Sequence, residues 1–370
     1  MRAVAARVAP LARAHRRHLE GAVLAAILGI PSASGAQESS LQARPSARLV
    51  ESGTDAVLQS VSPVNDDLIW VSGHEGALLR SLDGGATWTS VPSPAGDSLQ
   101  FRDIKAFSPD RAVILSSGSG PLSRIYRTTD GGRSWTLAFL MPEEDGFLDC
   151  LDFWDRDRGF AYGDAIDEVP YVLQTEDGGR TWERVPSSGL PAALPGEGGF
   201  AASGTCAVAG DGGQGWIATG AGGSARVLTT TDYGVSWTAA DLPVARGAMA
   251  GAFTIAAHAG APVMILGGDL GREDQVVANA IVRSEPAAWS PAETDAPLPG
   301  AVYGSAALDS RTVFAFGPRG SAYTADRGVS WIRVPEVEAW AGAWGPGGSR
   351  GWAVGTGGRL WVIDMGSGGR

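Results

Sequence analysis

The chain has 370 residues, 44% of them hydrophobic and 19% charged, with 53 Gly, 22 Pro, 13 Trp, two Cys and a net charge of −11. That acidic balance argues against a nucleic-acid or anionic-membrane partner, either of which calls for a basic patch. Two cysteines exclude a cysteine-rich metal or disulfide framework, and 370 residues exceed one ordinary domain unless the chain is a repeat.

Taken in chain order, residues 1–36 read as a cleavable signal peptide. Arg2, Arg7, Arg13, Arg16 and Arg17 form a basic start, and Gly21 to Ile30 is an apolar run too short to span a bilayer. Ser34-Gly35-Ala36 then supplies the small residues of a cleavage site. The expected protein is exported, periplasmic or secreted, with no transmembrane segment in the mature chain. Loss of five Arg and one Glu leaves 24 basic against 39 acidic residues, a net charge of −15. Residues 37–46 read as a linker. Ala47 to Ser52 has strand character but no repeat of its own.

From there one motif recurs: SLDGGATW (81–88), TTDGGRSW (128–135), TEDGGRTW (175–182), TTDYGVSW (230–237) and TADRGVSW (324–331). A degenerate copy, RSEPAAW, lies at 283–289. A short apolar strand ending in Gly precedes each motif, as in LIWVSG (68–73), GFAYGD (159–164), GWIATG (215–220) and GWAVGTGG (351–358). Further strands lie upstream, such as VLQSVSP (57–63), FRDIKAF (101–107) and FLDCLDF (147–153). The unit is four short antiparallel strands, one propeller blade. The fold expected is all-β: a single seven-bladed β-propeller over 47–364, closed by the N-terminal strand in the last blade, with a tail at 365–370. Closure removes the open sheet edges.

The motif has a structural reading. Asp83, Asp130, Asp177, Asp232 and Asp326, with the flanking Ser and Thr, hold a hairpin turn by accepting from its backbone N–H groups. Gly85, Gly132, Gly179, Gly234 and Gly328 take the positive φ, and Trp88, Trp135, Trp182, Trp237 and Trp331 pack between sheets. Five copies point to five places round a ring, whereas catalytic groups converge on one substrate.

These residues carry a resemblance. The S/T-x-D-x-G-x-S/T-W pattern resembles the Asp box, or bacterial neuraminidase repeat. Joined to GWAVG-like strands behind a signal peptide, it resembles the photosystem II stability and assembly factor-like propellers, in a bacterial branch that shares the non-repeat stretch Leu190 to Thr205. The resemblance implies a non-enzymatic scaffold that binds a protein or a membrane-complex assembly intermediate, a monomer without a cofactor.

The chemistry-bearing residues fit that expectation better than the alternatives. Sialidases carry Asp boxes, but their Phe-Arg-Ile-Pro tetrapeptide is absent. A periplasmic glycoside hydrolase needs two carboxylates in one cleft; Asp103 and Asp149, placed at matching positions of adjacent blades, are the best pair. No dinucleotide or haem motif occurs, and His74 and His258 lie in different blades. The acidic stretch Asp164 to Glu168 reads as a solvated turn rather than a calcium loop. A partner surface is expected where the repeat breaks: Arg102, Lys105, Asp149, Asp152, Asp164 and Glu197. Cys150 and Cys206 either pair, as export permits, or remain buried thiols.

Overall fold

A computed structural model describes residues 44–275, 279–284, 288–291 and 297–366. The expected signal peptide, most of the expected 37–46 linker and the end of the expected tail lie outside the described residues. Short β-branched and aromatic runs broken by Gly-rich turns leave no stretch long enough for an α-helix, and the described residues form strands with a few 3-10 turns.

Six sheets are each made of four consecutive strands. They are β2–β5 (Leu58–Pro63, Ile69–Gly73, Leu78–Ser81, Thr89–Ser90) and β6–β9 (Phe101–Ala106, Ala112–Ser116, Arg124–Thr128, Thr136–Leu140). Next come β10–β13 (Leu148–Phe153, Gly159–Ile166, Val169–Thr175, Glu183–Arg184) and β14–β17 (Ala207–Ala209, Gly215–Thr219, Ala225–Thr230, Thr238–Leu242). Then follow β18–β21 (Ala250–Ala256, Met264–Asp269, Ala280–Ser284, Ala288–Pro291) and β22–β25 (Gly304–Ala307, Val313–Gly317, Gly320–Thr324, Ile332–Val334). The remaining sheet is composite. Its strands β26 (Ala341–Trp344), β27 (Arg350–Val354) and β28 (Leu360–Met365) come from the C-terminal end. Its fourth strand, β1 (Pro45–Val50), pairs antiparallel with β28 from Pro45↔Met365 to Val50↔Leu360. β1 thus begins and ends two residues before the Ala47–Ser52 expected from sequence, and β28 runs one residue into the expected tail.

The first strands of the sheets pack side by side in a closed cycle, β2, β6, β10, β14, β18, β22, β26 and back to β2. They line a central channel, which makes the fold a β-propeller. Apolar clusters fill the wedges between neighbouring sheets. Leu68, Trp70, Phe101 and Ile114 sit between the first two sheets, and Phe153, Tyr171 and Leu173 pack against Val113 and Ile125 between the next two.

The repeated turn builds these wedges. In the 128–135 copy, Thr128 Oγ1 donates to Asp130 Oδ1 (2.9 Å) and accepts from Gly132 N (2.9 Å). Asp130 Oδ1 also accepts from Ser134 N (3.0 Å), and Oδ2 accepts from Ser134 Oγ (2.6 Å). The same bonds recur around Asp83, Asp177, Asp232 and Asp326. Those bonds hold the Asp83, Asp130 and Asp177 carboxyls down near a pKa of about 2. Trp88, Trp135, Trp182, Trp237 and Trp331 each enter a cluster between two sheets. The residue before the expected glycine is left-handed too. It is Gly in the first three copies but Tyr233 (φ 59°) and Arg327 (φ 65°) in the others.

Candidate binding site in the central channel

The stretch between β13 and β14 is the longest insertion among the described residues, and from Glu197 onward it leaves the surface. Residues 197–205 cross one end of the channel and plug it. At its entry Gly198 exchanges two backbone bonds with Gly220 (3.1 and 2.9 Å), and Glu197 O accepts from Ala165 N (3.2 Å). Across the channel, Ala201 O accepts from Gln59 Nε2 (2.5 Å) on β2 and from an Arg102 guanidinium nitrogen (3.3 Å) on β6. The Phe200 ring meets Phe253 of β18 edge-on at 4.0 Å, and Ser203 Oγ donates to Tyr303 O (2.8 Å) before β22. Thr205 O then accepts from Ile255 N (2.9 Å). The plug therefore reaches six of the seven sheets.

Both ends of the plug are pinned. Glu197 is 2% exposed, and its carboxylate accepts from an Arg226 guanidinium nitrogen (2.6 Å), Thr219 Oγ1 (2.7 Å) and Leu194 N (2.8 Å). At the other end Cys206, on the residue after the plug, forms a disulfide with Cys150 of β10, with Cα atoms 6.0 Å apart.

The plug rests on buried carboxyls, and its small residues make the fit. A Cβ on Gly198 would lie under 3.0 Å from Asp164, one on Gly199 from Asp149, and one on Gly204 from Asp103 and Ser60. Burial raises the Asp149 carboxyl well above its ordinary pKa, helped by the Asp164 charge and opposed by Arg102. Burial also raises Asp164, against a bond from Gly199 N (2.9 Å). His74, bonded through Nε2 to Gln59 Oε1 (2.5 Å), is lowered to about 4 by burial and then by Arg102.

Beyond the plug the channel opens as a cup of about 270 Å³ with Gly204 and Thr205 at its floor. Ser60, Ser62, Asp103, Lys105 and Asp152 form its polar wall, and Pro63, Val208, Ala341, Ala343 and Trp344 its apolar one. Lys105 Nζ donates to Asp152 Oδ1 (2.5 Å), and Asp152 Oδ2 accepts from Ala209 N (2.8 Å). Burial works against the Lys105 charge, but Asp152 and then Asp103 outweigh it and raise its pKa. Asp103 is 2% exposed, and burial pushes its carboxyl up to about 7. Bonds from Leu151 N (2.7 Å), Ser60 Oγ (3.0 Å) and Ile104 N (2.7 Å) pull it the other way.

The six residues expected to form one partner surface thus divide. Arg102, Asp149, Asp164 and Glu197 hold the plug, and Lys105 and Asp152 belong to the cup. The matching of Asp103 to Asp149 is out by one. β6 and β7 pair Phe101 with Ser116 and then Asp103 with Leu115, while β10 and β11 pair Leu148 with Gly163 and then Cys150 with Tyr162. Arg102 and Asp149 are the extra residues of equivalent β-bulges, so Asp103 corresponds to Cys150. The acidic stretch at 164–168 is the β11–β12 hairpin, with Asp167 and Glu168 left-handed at its tip. Sequence reasoning missed Gln59, Arg226 and Trp344. The departure of 190–205 from the repeat was the available signal for the first two, since it marks where the chain must find partners outside its own blade.

No family model matches the chain. Over 51 residues it is 41% identical to the photosystem II assembly protein Ycf48 of Synechococcus sp. (strain JA-3-3Ab), a match spanning 14% of this chain and 15% of that protein. A solved structure of YCF48 bound to D1 peptide superposes with a TM-score of 0.60 at 16% identity, covering 85% of this chain and 96% of that one. YCF48 from Cyanidioschyzon merolae gives 0.60 at 18%, covering 86% and 98%. The fold is that of the Ycf48-like β-propellers. A GH74 xyloglucanase from Xanthomonas campestris also superposes, with a TM-score of 0.58 at 16% identity over 86% of this chain, but this chain spans only 53% of it.

Proposed function

We propose that this is an exported, non-enzymatic propeller that binds a protein or a membrane-complex assembly intermediate. The observation that carries the reading is the superposition, over nearly the whole of both chains, on YCF48 bound to D1 peptide. The geometry supports it. Asp103 and Asp152 already accept bonds from the chain's own donors, and Asp149 and Asp164 lie under the plug, so these carboxyls are engaged within the protein itself. The repeated Asp-box turns serve the ring, and the partner meets an end of it. Residues 1–36 direct export, the mature chain starts near Gln37, and it works as a monomer.

Crosslinked capture of the tagged protein from its own cell envelope, with mass-spectrometric identification, tests the reading. Enrichment of one membrane complex or its subunit over an untagged control is expected; recovery of no protein above that control would overturn it. N-terminal sequencing of the captured chain checks the cleavage site.

A second reading, a periplasmic glycoside hydrolase, is favoured by the GH74 neighbours alone. Release of reducing ends from xyloglucan, abolished by Asp103→Asn, would support it.

A further inference from the structure

We infer that the cup beyond the plug is a binding site for a carboxylate, with Lys105 as the residue that receives its oxygens. The inference stands on the cup alone and does not rest on the partner reading above.

The cup is a dead end. Its floor is the plug, fixed at Glu197 by Arg226 and at Cys206 by Cys150, so a ligand enters and leaves by the same mouth. It admits a small molecule or the end of a chain and excludes one that threads the ring. Lys105 is the only lysine in a chain with 28 arginines. Where the composition runs so heavily to Arg, one Lys on the channel wall gives a compact ammonium with three donors. Its side chain is 37% exposed, and its recorded bond uses one donor, on Asp152.

Counting donors and acceptors on the wall decides the ligand class. Asp103 accepts from Ser60 Oγ, Ile104 N and Leu151 N. Asp152 accepts from Lys105 Nζ, Phe153 N and Ala209 N. Ser62 Oγ accepts from Ala106 N (2.9 Å) and keeps its O–H. Each carboxyl thus keeps about one of its four lone-pair sites, whereas Lys105 keeps two N–H donors and Ser62 its O–H, so a ligand that brings acceptors satisfies the wall best. Charge agrees. Lys105 and Asp152 compensate each other, and a protonated Asp103 adds no second anion. Among the described residues, Asp103, Asp152 and Lys105 are the only ionisable groups on the wall; β2, β14, β26 and the plug contribute none there. The apolar side, with Trp344, Val208, Ala341 and Ala343, fits a short apolar substituent. A small free carboxylic acid and the carboxyl terminus of a peptide both offer this chemistry.

The single lysine supplies the assay. Wild-type protein is acylated with an N-hydroxysuccinimide ester, and the rate at Lys105 is read by peptide mass spectrometry in isobutyrate, tetra-alanine or tetra-alanine amide, both peptides N-acetylated so that neither consumes the ester. Isobutyrate or tetra-alanine is expected to slow Lys105 acylation at least tenfold at saturation, and the amide to leave it unchanged. Stronger protection by isobutyrate identifies a small-acid site, and stronger protection by tetra-alanine a chain-terminus site. Protection is also expected to weaken from pH 6 to pH 8, as Asp103 ionises toward the ligand. Equal protection by the amide, or none by either acid, would overturn the inference. Calorimetry on Lys105→Met is the second measurement: binding should vanish, and affinity unchanged from wild type would sink the assignment of Lys105.

Discussion

Glu197 was the residue of the 190–205 stretch singled out for partner contact, and the structure makes it an internal brace. Replacing it by Ala would leave three donors without their acceptor: the Arg226 guanidinium, Thr219 Oγ1 and Leu194 N. Arg226 is 8% exposed, so its charge would remain in the interior, still bonded to Ala192 O (3.1 Å) and 4.0 Å from Asp241. Breaking a buried ion pair from one side costs about 3–5 kcal/mol. The contacts kept by Arg226 put Glu197→Ala near the lower end, about 3 kcal/mol. The assay is urea unfolding of wild type, Glu197→Ala, Arg226→Met and the double variant. The cycle should show coupling, with the double variant costing less than the two single costs together, because it leaves no orphaned charge. A loss under about 1 kcal/mol for Glu197→Ala, or strict additivity, would refute the brace.

The remaining expectations use other parts of the ring. Gly199→Ala should lower stability by about 1–3 kcal/mol, since its Cβ drives into the buried Asp149 carboxyl. Gly223→Ala, with nothing within 4 Å of its Cβ, should leave the melting temperature unchanged. The folded pKa of Asp103, about 7, lies above its unfolded value, so its contribution is present below about pH 4 and is lost as pH rises to about 7. Wild type should lose up to about 4 kcal/mol through that window relative to Asp103→Asn; parallel urea-stability curves would count against it. The Asp83, Asp130 and Asp177 carboxyls have lowered pKa values, so their turns keep their stability above about pH 4 and lose it toward pH 2. Carboxyl NMR titration should find all three midpoints near 2. Cys150→Ser with Cys206→Ser opens a crosslink spanning 56 residues and should cost about 4 kcal/mol on the chain-entropy scale, read as a lower urea midpoint matched by reducing the wild type.

The ring was legible because its signals are local. The Asp130 turn is written in eight consecutive residues, and each of its bonds spans no more than four positions. Repetition of that turn locates the hairpins, and the apolar runs between them locate the strands. The site was legible only as a place where the repeat stops. Glu197 pairs with Arg226 29 positions away, and Ala201 with Gln59 142 positions away. No spacing rule reaches either, because which blades face each other depends on closing the ring. The β-bulges at Arg102 and Asp149 were lost for a related reason. A bulge adds one residue without changing the alternation on either side, so aligning FRDIKAF on FLDCLDF by their identical residues shifts the register by one.

The asymmetry of the channel follows from where the insertion enters. A ring of similar blades would present similar wall residues to its axis, and an open channel would keep ionised carboxyls hydrated. Here the plug enters between the β10–β13 and β14–β17 sheets and lies first against the β10–β13 sheet, then the β6–β9 sheet. Those are the sheets that carry Asp103 on β6, Asp149 on β10 and Asp164 near the end of β11. Each of these carboxyls lies against a glycine of the plug, and burial beneath it raises all three. A symmetric origin for the carboxyls would predict counterparts on β18, β22 and β26, yet those strands read AGAFTIA, GSAA and AGAW. The acidic wall and the plug are therefore one feature. Removing the plug's small residues should disturb the chemistry of the cup, because the atoms nearest its glycines belong to Asp164, Asp149, Asp103 and Ser60, and the last two line the cup with Lys105 and Asp152.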